Sequence, residues 1–169
     1  MAISATHHQC QWLDLGDDLT QMSQQTIRQW SQLKHFYRLY MPYAKPSIKE
    51  SVAIIAHLPQ PSSQTSPQPD TQVIMCAIRI RSYANALLLT GLLTHPQYRQ
   101  QGLASQLLQF IRPQCQAIPS FVFAESDLTS FYLNHGFVVI TPEEATAEIR
   151  QQFCKYQTKL AKLTLLKHG

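Results

Sequence analysis

Residues 86–112, ALLLTGLLTHPQYRQQGLASQLLQFIR, constrain the fold of this chain more than any other stretch. The first ten residues form a short apolar run of the length of a buried strand. A turn with one proline and one glycine follows. Leu103, Leu107, Leu108 and Ile111 then recur at helical spacing. A strand predicted over 86–95 therefore feeds a helix predicted from about Gln100 to Arg112, closed by Pro113. At such a junction the first-turn N–H groups have no intrahelical partner, and the helix dipole turns its positive end the same way. Phosphate binds there when small residues let its oxygens approach the backbone. Gly102 and Ala104 are small, Arg99 adds a positive charge and Ser105 a hydroxyl. The chain has only 5 glycines in 169 residues. One in a helical first turn costs about 1 kcal/mol relative to alanine and so calls for a reason.

The other segments place this unit inside an α/β domain. QCQWLDL (9–15) reads as a first strand, and from about Gln24 to Tyr40 the residues Ile27, Trp30, Leu33, Phe36, Tyr37 and Tyr40 form a helical stripe. Met41-Pro42 stops that helix. SVAIIAHL (51–58) and QVIMCAIRIR (72–81) read as strands. Between them PQPSSQTSPQPDT (59–71), with four prolines and three serines, reads as a flexible loop within the domain. Downstream, a strand over 120–126, a short helix from Asp127 to His135 ended by Gly136, and a strand over 137–140 are expected. Thr141-Pro142-Glu143-Glu144 spells a capping box, predicting a helix from there to about Thr158. A last strand is expected over 160–167. The order is β-α-β-β-β-α-β-α-β-α-β, a single domain over 1–169.

Composition excludes several classes. A hydrophobic fraction of 44% with 14% charged residues is a globular profile. The net charge of +4 has no run of Lys or Arg longer than two, which gives no footprint for nucleic acid. Nor does any apolar run approach the roughly 20 residues of a membrane span. The amino-terminal MAISATHHQC lacks the layout of a signal peptide. Cys10, Cys76, Cys115 and Cys154 are scattered without a C-x-x-C pair, so free thiols in a reducing, cytoplasmic setting are expected. The seven histidines show no HExxH or paired spacing, and no metal site is expected.

The phosphate-binding patterns narrow further. There is no GxxxxGK[ST] and no full G-x-G-x-x-G with a following acidic residue. What remains is a diphosphate held by one short turn. Thr94-His95-Pro96-x-Tyr98-Arg99-Gln100-Gln101-Gly102-Leu103-Ala104 resembles the Arg/Gln-x-x-Gly-x-Gly/Ala motif of the GNAT N-acetyltransferase superfamily. Phe131-Tyr132-Leu133-Asn134-His135-Gly136-Phe137 is similar to that family's Phe-Tyr-x-x-x-Gly-Phe. The resemblance covers residues 50–140 and reaches the amino-terminal helix only in outline.

The resemblance implies a mixed, mostly antiparallel sheet of about seven strands flanked by helices, with a splayed parallel pair holding acyl-CoA. It implies acetyl-CoA as cofactor, its diphosphate cradled by the N–H groups of Gln100, Gln101, Gly102, Leu103, Ala104 and Ser105 beside Arg99. Its pantetheine arm would pair with the Leu92-Leu93-Thr94 backbone, with Leu128 and Phe131 also on the cofactor. The N–H near Leu93 would polarise the thioester carbonyl. Tyr132 is the candidate general acid, with Leu128, four residues earlier, expected on the same helix face. Glu125 is a candidate base acting through water, although the strand 86–95 lacks a carboxylate where many relatives offer a glutamate nearby, and Glu125-Ser126-Asp127 stand where many relatives have an asparagine. Other readings stay open: Gly102 is incidental to a core helix, Tyr132 packs with its hydroxyl satisfied, or Glu125 is a surface carboxylate. The acceptor is expected to be a small-molecule or protein amine, with no nucleic acid or membrane partner and room for a homodimer. The alternative is an acyl-CoA-binding module without catalysis.

Overall fold

The computed structural model describes residues 8–13, 22–57, 72–160 and 162–169. The proline-rich segment 59–71 and the end of the first predicted strand lie outside them. The strands are β1 (His8–Leu13), β2 (Ser51–His57), β3 (Val73–Tyr83), β4 (Ala86–Thr94), β5 (Ser120–Glu125), β6 (Phe137–Val139) and β7 (Leu163–His168). The helices are α1 (Gln24–Tyr40), α2 (Leu103–Ala117), α3 (Thr129–Leu133) and α4 (Ala147–Gln157). The strands form one sheet in the order β1-β2-β3-β4-β5-β7-β6. β1 pairs antiparallel with β2, and β7 antiparallel with both β5 and β6. β4 and β5 run parallel, in register from Leu87↔Ser120 to Leu89↔Val122. That register stops at Leu89, while β4 continues to Thr94. Among the described residues no helix is long and apolar enough to cross a membrane.

Two compact units divide the chain, Met1–Ile78 with Gly91–Leu107, and Arg79–Thr90 with Leu108–Gly169. In the first, α1 lays Trp30, Leu33, Phe36 and Tyr37 onto Val52, Ile54 and Ala56 of β2 and Ile74 and Ala77 of β3. Ile27, expected in that stripe, is 41% exposed. Ser23 caps α1, its Oγ accepting from the Thr26 N–H at 3.1 Å. In the second unit Ile149 and Phe153 of α4 pack with Leu88, Phe121 and Leu165.

Three expectations need correction. The helix predicted to close at Pro113 runs through it to Ala117. An interior proline costs about 3 kcal/mol through a lost N–H bond and a ring clash. Continuing the helix, however, buries Cys115 on the stripe of Leu107, Leu108 and Ile111, and that packing outweighs local propensity. Thr141 does form the capping box, with the Thr141 N–H donating to Glu144 Oε2 at 2.7 Å. The box closes only a 3-10 turn over Pro142–Glu144, because Ala145 is extended (φ −90°, ψ 160°). Thr146 then caps α4 afresh, its hydroxyl accepting from the Ile149 N–H at 3.5 Å. The short helix predicted from Asp127 is likewise split, into a 3-10 turn over Ser126–Leu128 and α3.

Candidate active site

The link from β4 to α2 is built from short-range bonds. His95 ends the strand, its N–H donating to Met75 O at 2.8 Å. Its Nδ1 accepts from the Gln97 N–H at 3.2 Å and so caps the 3-10 turn Pro96–Tyr98. Arg99 Nε donates back to Thr94 O at 3.4 Å. Gln100 (φ +63°) and Gly102 (φ +75°) then both take the left-handed conformation. For glutamine that costs about 1–2 kcal/mol, whereas glycine adopts it freely. α2 begins at Leu103, so the glycine lies just outside the helix rather than in its first turn.

Gly102 is the residue that caps α2: its carbonyl accepts from the Gln106 N–H at 3.0 Å. Serine or threonine fills this place on α1 and α4, giving a hydroxyl to the open N–H groups. Glycine has none to give. The N–H groups of Leu103, Ala104 and Ser105 are thus left without a capping side chain. A Cβ built on Gly102 would have no heavy atom within 4 Å, so the space beside it is open. No acidic residue occurs between His95 and Ala117. Open donors, a positive dipole end and the exposed Arg99 together suit a diphosphate.

The end of β4 is anchored by α1. Gly91 is left-handed (φ +59°), a conformation that glycine supplies within a strand where the chain bends. Its carbonyl accepts from Tyr37 Oη at 2.6 Å. Beyond it Leu93 is buried, and Leu92 and Thr94 are half-buried. Thr94 Oγ1 lies 3.3 Å from the Sγ of Cys76, a fully buried thiol whose pKa burial pushes up to about 11. His95 Nε2 meets Tyr40 Oη at 2.9 Å, and its ring stacks on Phe36 at 6.4 Å. Since Nδ1 accepts from Gln97, the ring hydrogen sits on Nε2, which donates to the Tyr40 oxygen.

The remaining candidates belong to the second unit. Tyr132 is buried on α3, its ring edge-on to Phe137 at 5.5 Å and Phe131 at 5.3 Å. Leu128 is 47% exposed and sits in the 3-10 turn before α3. It caps α3 with helical dihedrals (φ −96°, ψ −8°), but it is exposed where Tyr132 is buried. Phe131 is half-buried, its ring 4.5 Å from that of His135. Glu125 ends β5, exposed, its carbonyl accepting from Thr129 Oγ1 at 3.4 Å. Sequence reasoning missed Gly91, Tyr37 and the Tyr40–His95 pair. A glycine inside an otherwise apolar strand was the available signal for the first. The other two need the tertiary fold. Among the described residues no group of three His, Cys, Asp or Glu side chains could hold a metal ion.

Residues 50–158 match a family described as the acetyltransferase (GNAT) domain. No curated protein matches the chain. Among solved structures, Escherichia coli ElaA is similar at a TM-score of 0.59 and 12% identity, over 96% of this chain and all of that one (100%). Tetrahymena GCN5 is similar at 0.58 and 15% identity, with 94% of each chain covered. N-acetylglutamate synthase from Neisseria gonorrhoeae, complexed with coenzyme A and N-acetyl-glutamate, gives 0.60 and 14% identity over 96% of this chain. The chain spans only 35% of that enzyme's length. At these identities the likeness is one of fold.

Proposed function

The chain belongs to the GNAT acetyltransferase family, and on that premise we propose that it is an acyl-CoA-dependent N-acyltransferase. In this reading residues 1–169 are one acyltransferase domain with 59–71 a loop within it. The reaction carries an acetyl group from acetyl-CoA to a primary amine of a small molecule or protein. The observation that carries the reading is the uncapped amino end of α2, where glycine stands and open space lies beside it.

Bound acetyl-CoA supplies the activated thioester. The N–H groups of Gln100, Gln101, Gly102, Leu103, Ala104 and Ser105 would hold its diphosphate, with Arg99 adding charge at the mouth. The backbone of Leu92-Leu93-Thr94 would offer the pantetheine amides a strand-like partner. The Leu93 N–H would donate to the thioester carbonyl oxygen. Tyr132, whose phenol is ordinarily protonated near neutrality, would supply a proton to the leaving thiolate. Glu125 would accept the amine's proton through water. Leu128 and Phe131 would flank the cofactor. Cys76 stays a thiol behind Thr94 and is no nucleophile, which favours direct transfer within one ternary complex. Four free cysteines support a cytoplasmic setting.

The exposure of Glu125 and the lack of a carboxylate in β4 favour one second reading, a module that binds acyl-CoA without turning it over. Calorimetry with coenzyme A tests the common ground. The native chain is expected to bind, and Gly102→Val, folded by circular dichroism, to bind at least about tenfold more weakly. No heat with the native chain, or equal affinity in the variant, removes the cradle. Thiol release over a panel of amines then separates enzyme from module: binding without turnover selects the module.

A further inference from the structure

The second unit holds a cavity of about 170 Å³ with no part in the transfer described above. A cavity of about 150 Å³ admits a benzene-sized molecule, so there is room for a small ion or acid. Its polar lining comes from Gln109, Arg112, Cys115, Asn134, His135 and His168. None of these is a carboxylate, and each can donate a hydrogen bond. Arg112 brings a fixed positive charge. Burial raises the Cys115 pKa, so the thiol keeps its proton and adds no negative charge. His135 Nδ1 donates to Phe131 O at 2.7 Å, which leaves Nε2 as its free nitrogen.

His168 belongs to the same wall. The side chain is only 7% exposed, and its Nδ1 is buried without a hydrogen-bond partner. The Nε2 edge of the ring lies beside Gly136, where an added Cβ would come within 3.5 Å, and Phe137 stands edge-on at 5.1 Å; both residues line the same cavity. Nδ1 itself has no surface open to the cavity, so a bound charge reaches this ring through space rather than by a bond to that atom. Desolvation, and next the nearby Arg112, push the ring's pKa below the ordinary 6.5, while a hydrogen bond with the Gly169 backbone offsets part of this. A negative ligand beside Arg112 counters the second of those causes.

We propose that this cavity is a binding site for a small oxyanion, a phosphate or a carboxylate, held by Arg112 with Asn134, His135 and His168 around it. The site does not rest on the acyltransferase reading, since neither thioester nor acceptor enters it. Nuclear magnetic resonance of the histidine rings in the full chain, titrated with inorganic phosphate or with acetate, is the test. The His135 and His168 signals are expected to shift and saturate with at least one of the two. Arg112→Gln, at an exposed position, is expected to weaken that response at least about tenfold, and Arg112→Lys less. No saturable shift with either anion overturns the proposal, as does the same shift with chloride. A third arm adds coenzyme A and its 3′-dephospho form to the phosphate-loaded chain. Displacement by the first alone assigns the cavity to the cofactor's own phosphate and also overturns the proposal, while retention of phosphate beside bound coenzyme A supports it.

Discussion

Tyr132 carries the most specific chemical proposal at the level of single residues. Its ring is buried between Phe131 and Phe137, so Tyr132→Phe keeps the packing and removes one hydroxyl. If that hydroxyl supplies the proton to the thiolate, kcat falls by about 10²–10⁴, the usual range for a general acid, with coenzyme A affinity unchanged. Steady-state kinetics beside calorimetry reads both, and equal turnover removes Tyr132 from the mechanism. His168 predicts a pH effect of definite sign. Its folded-state pKa lies below the ordinary 6.5. As pH falls through that value the unfolded chain takes up the proton first, and stability declines until the folded-state pKa is reached. Above 6.5 the group adds no pH dependence. Denaturant unfolding in phosphate-free buffer at about pH 7.5 and 5.5 is expected to show a smaller loss for His168→Gln than for the native chain. An equal loss in both assigns the decline to other groups.

At the scale of elements, two threonines five positions apart separate local signal from tertiary outcome. Thr141-Pro142-Glu143-Glu144 has every residue of a helix start, and the box forms, yet it stabilises only one 3-10 turn. The cap that holds α4 and its buried Ile149 and Phe153 is Thr146. Thr146→Ala is therefore expected to cost about 1 kcal/mol, and Thr141→Ala clearly less. Midpoints of urea unfolding rank the two, and the reverse order contradicts this division of α4. Pro113 teaches the same lesson in the other direction. The residue reads as a stop, but the burial of Cys115 carries α2 past it. Local rules give the existence and type of these elements; their ends follow from which side chains packing claims.

For the whole molecule, ligand binding and folding are linked. A cofactor that binds only the folded chain at about a hundred times its Kd adds about 2.7 kcal/mol of stability. For a chain of this size that raises Tm by about 5–10 °C. Thermal melting with coenzyme A is expected to show this for the native chain and only a small rise for Gly102→Val; equal rises speak against Gly102 in the cradle. The order of elements was legible in sequence because hydrophobic period distinguishes strands from helices over a few residues, as in α1 and in β2 to β4. The glycine at 102 was legible too, although as a residue inside α2 rather than the left-handed residue before it, since φ is not written in residue spacing. Sequence alone thus determined the strand–turn–helix unit and its unguarded N–H groups, because both depend on neighbours within a few positions. Only the tertiary structure decided that Tyr37 grips Gly91, that Tyr40 holds His95, and that Arg112 and His168 line one cavity. Those contacts join residues 54, 55 and 56 positions apart, a distance over which burial and packing, not local propensity, choose the partner.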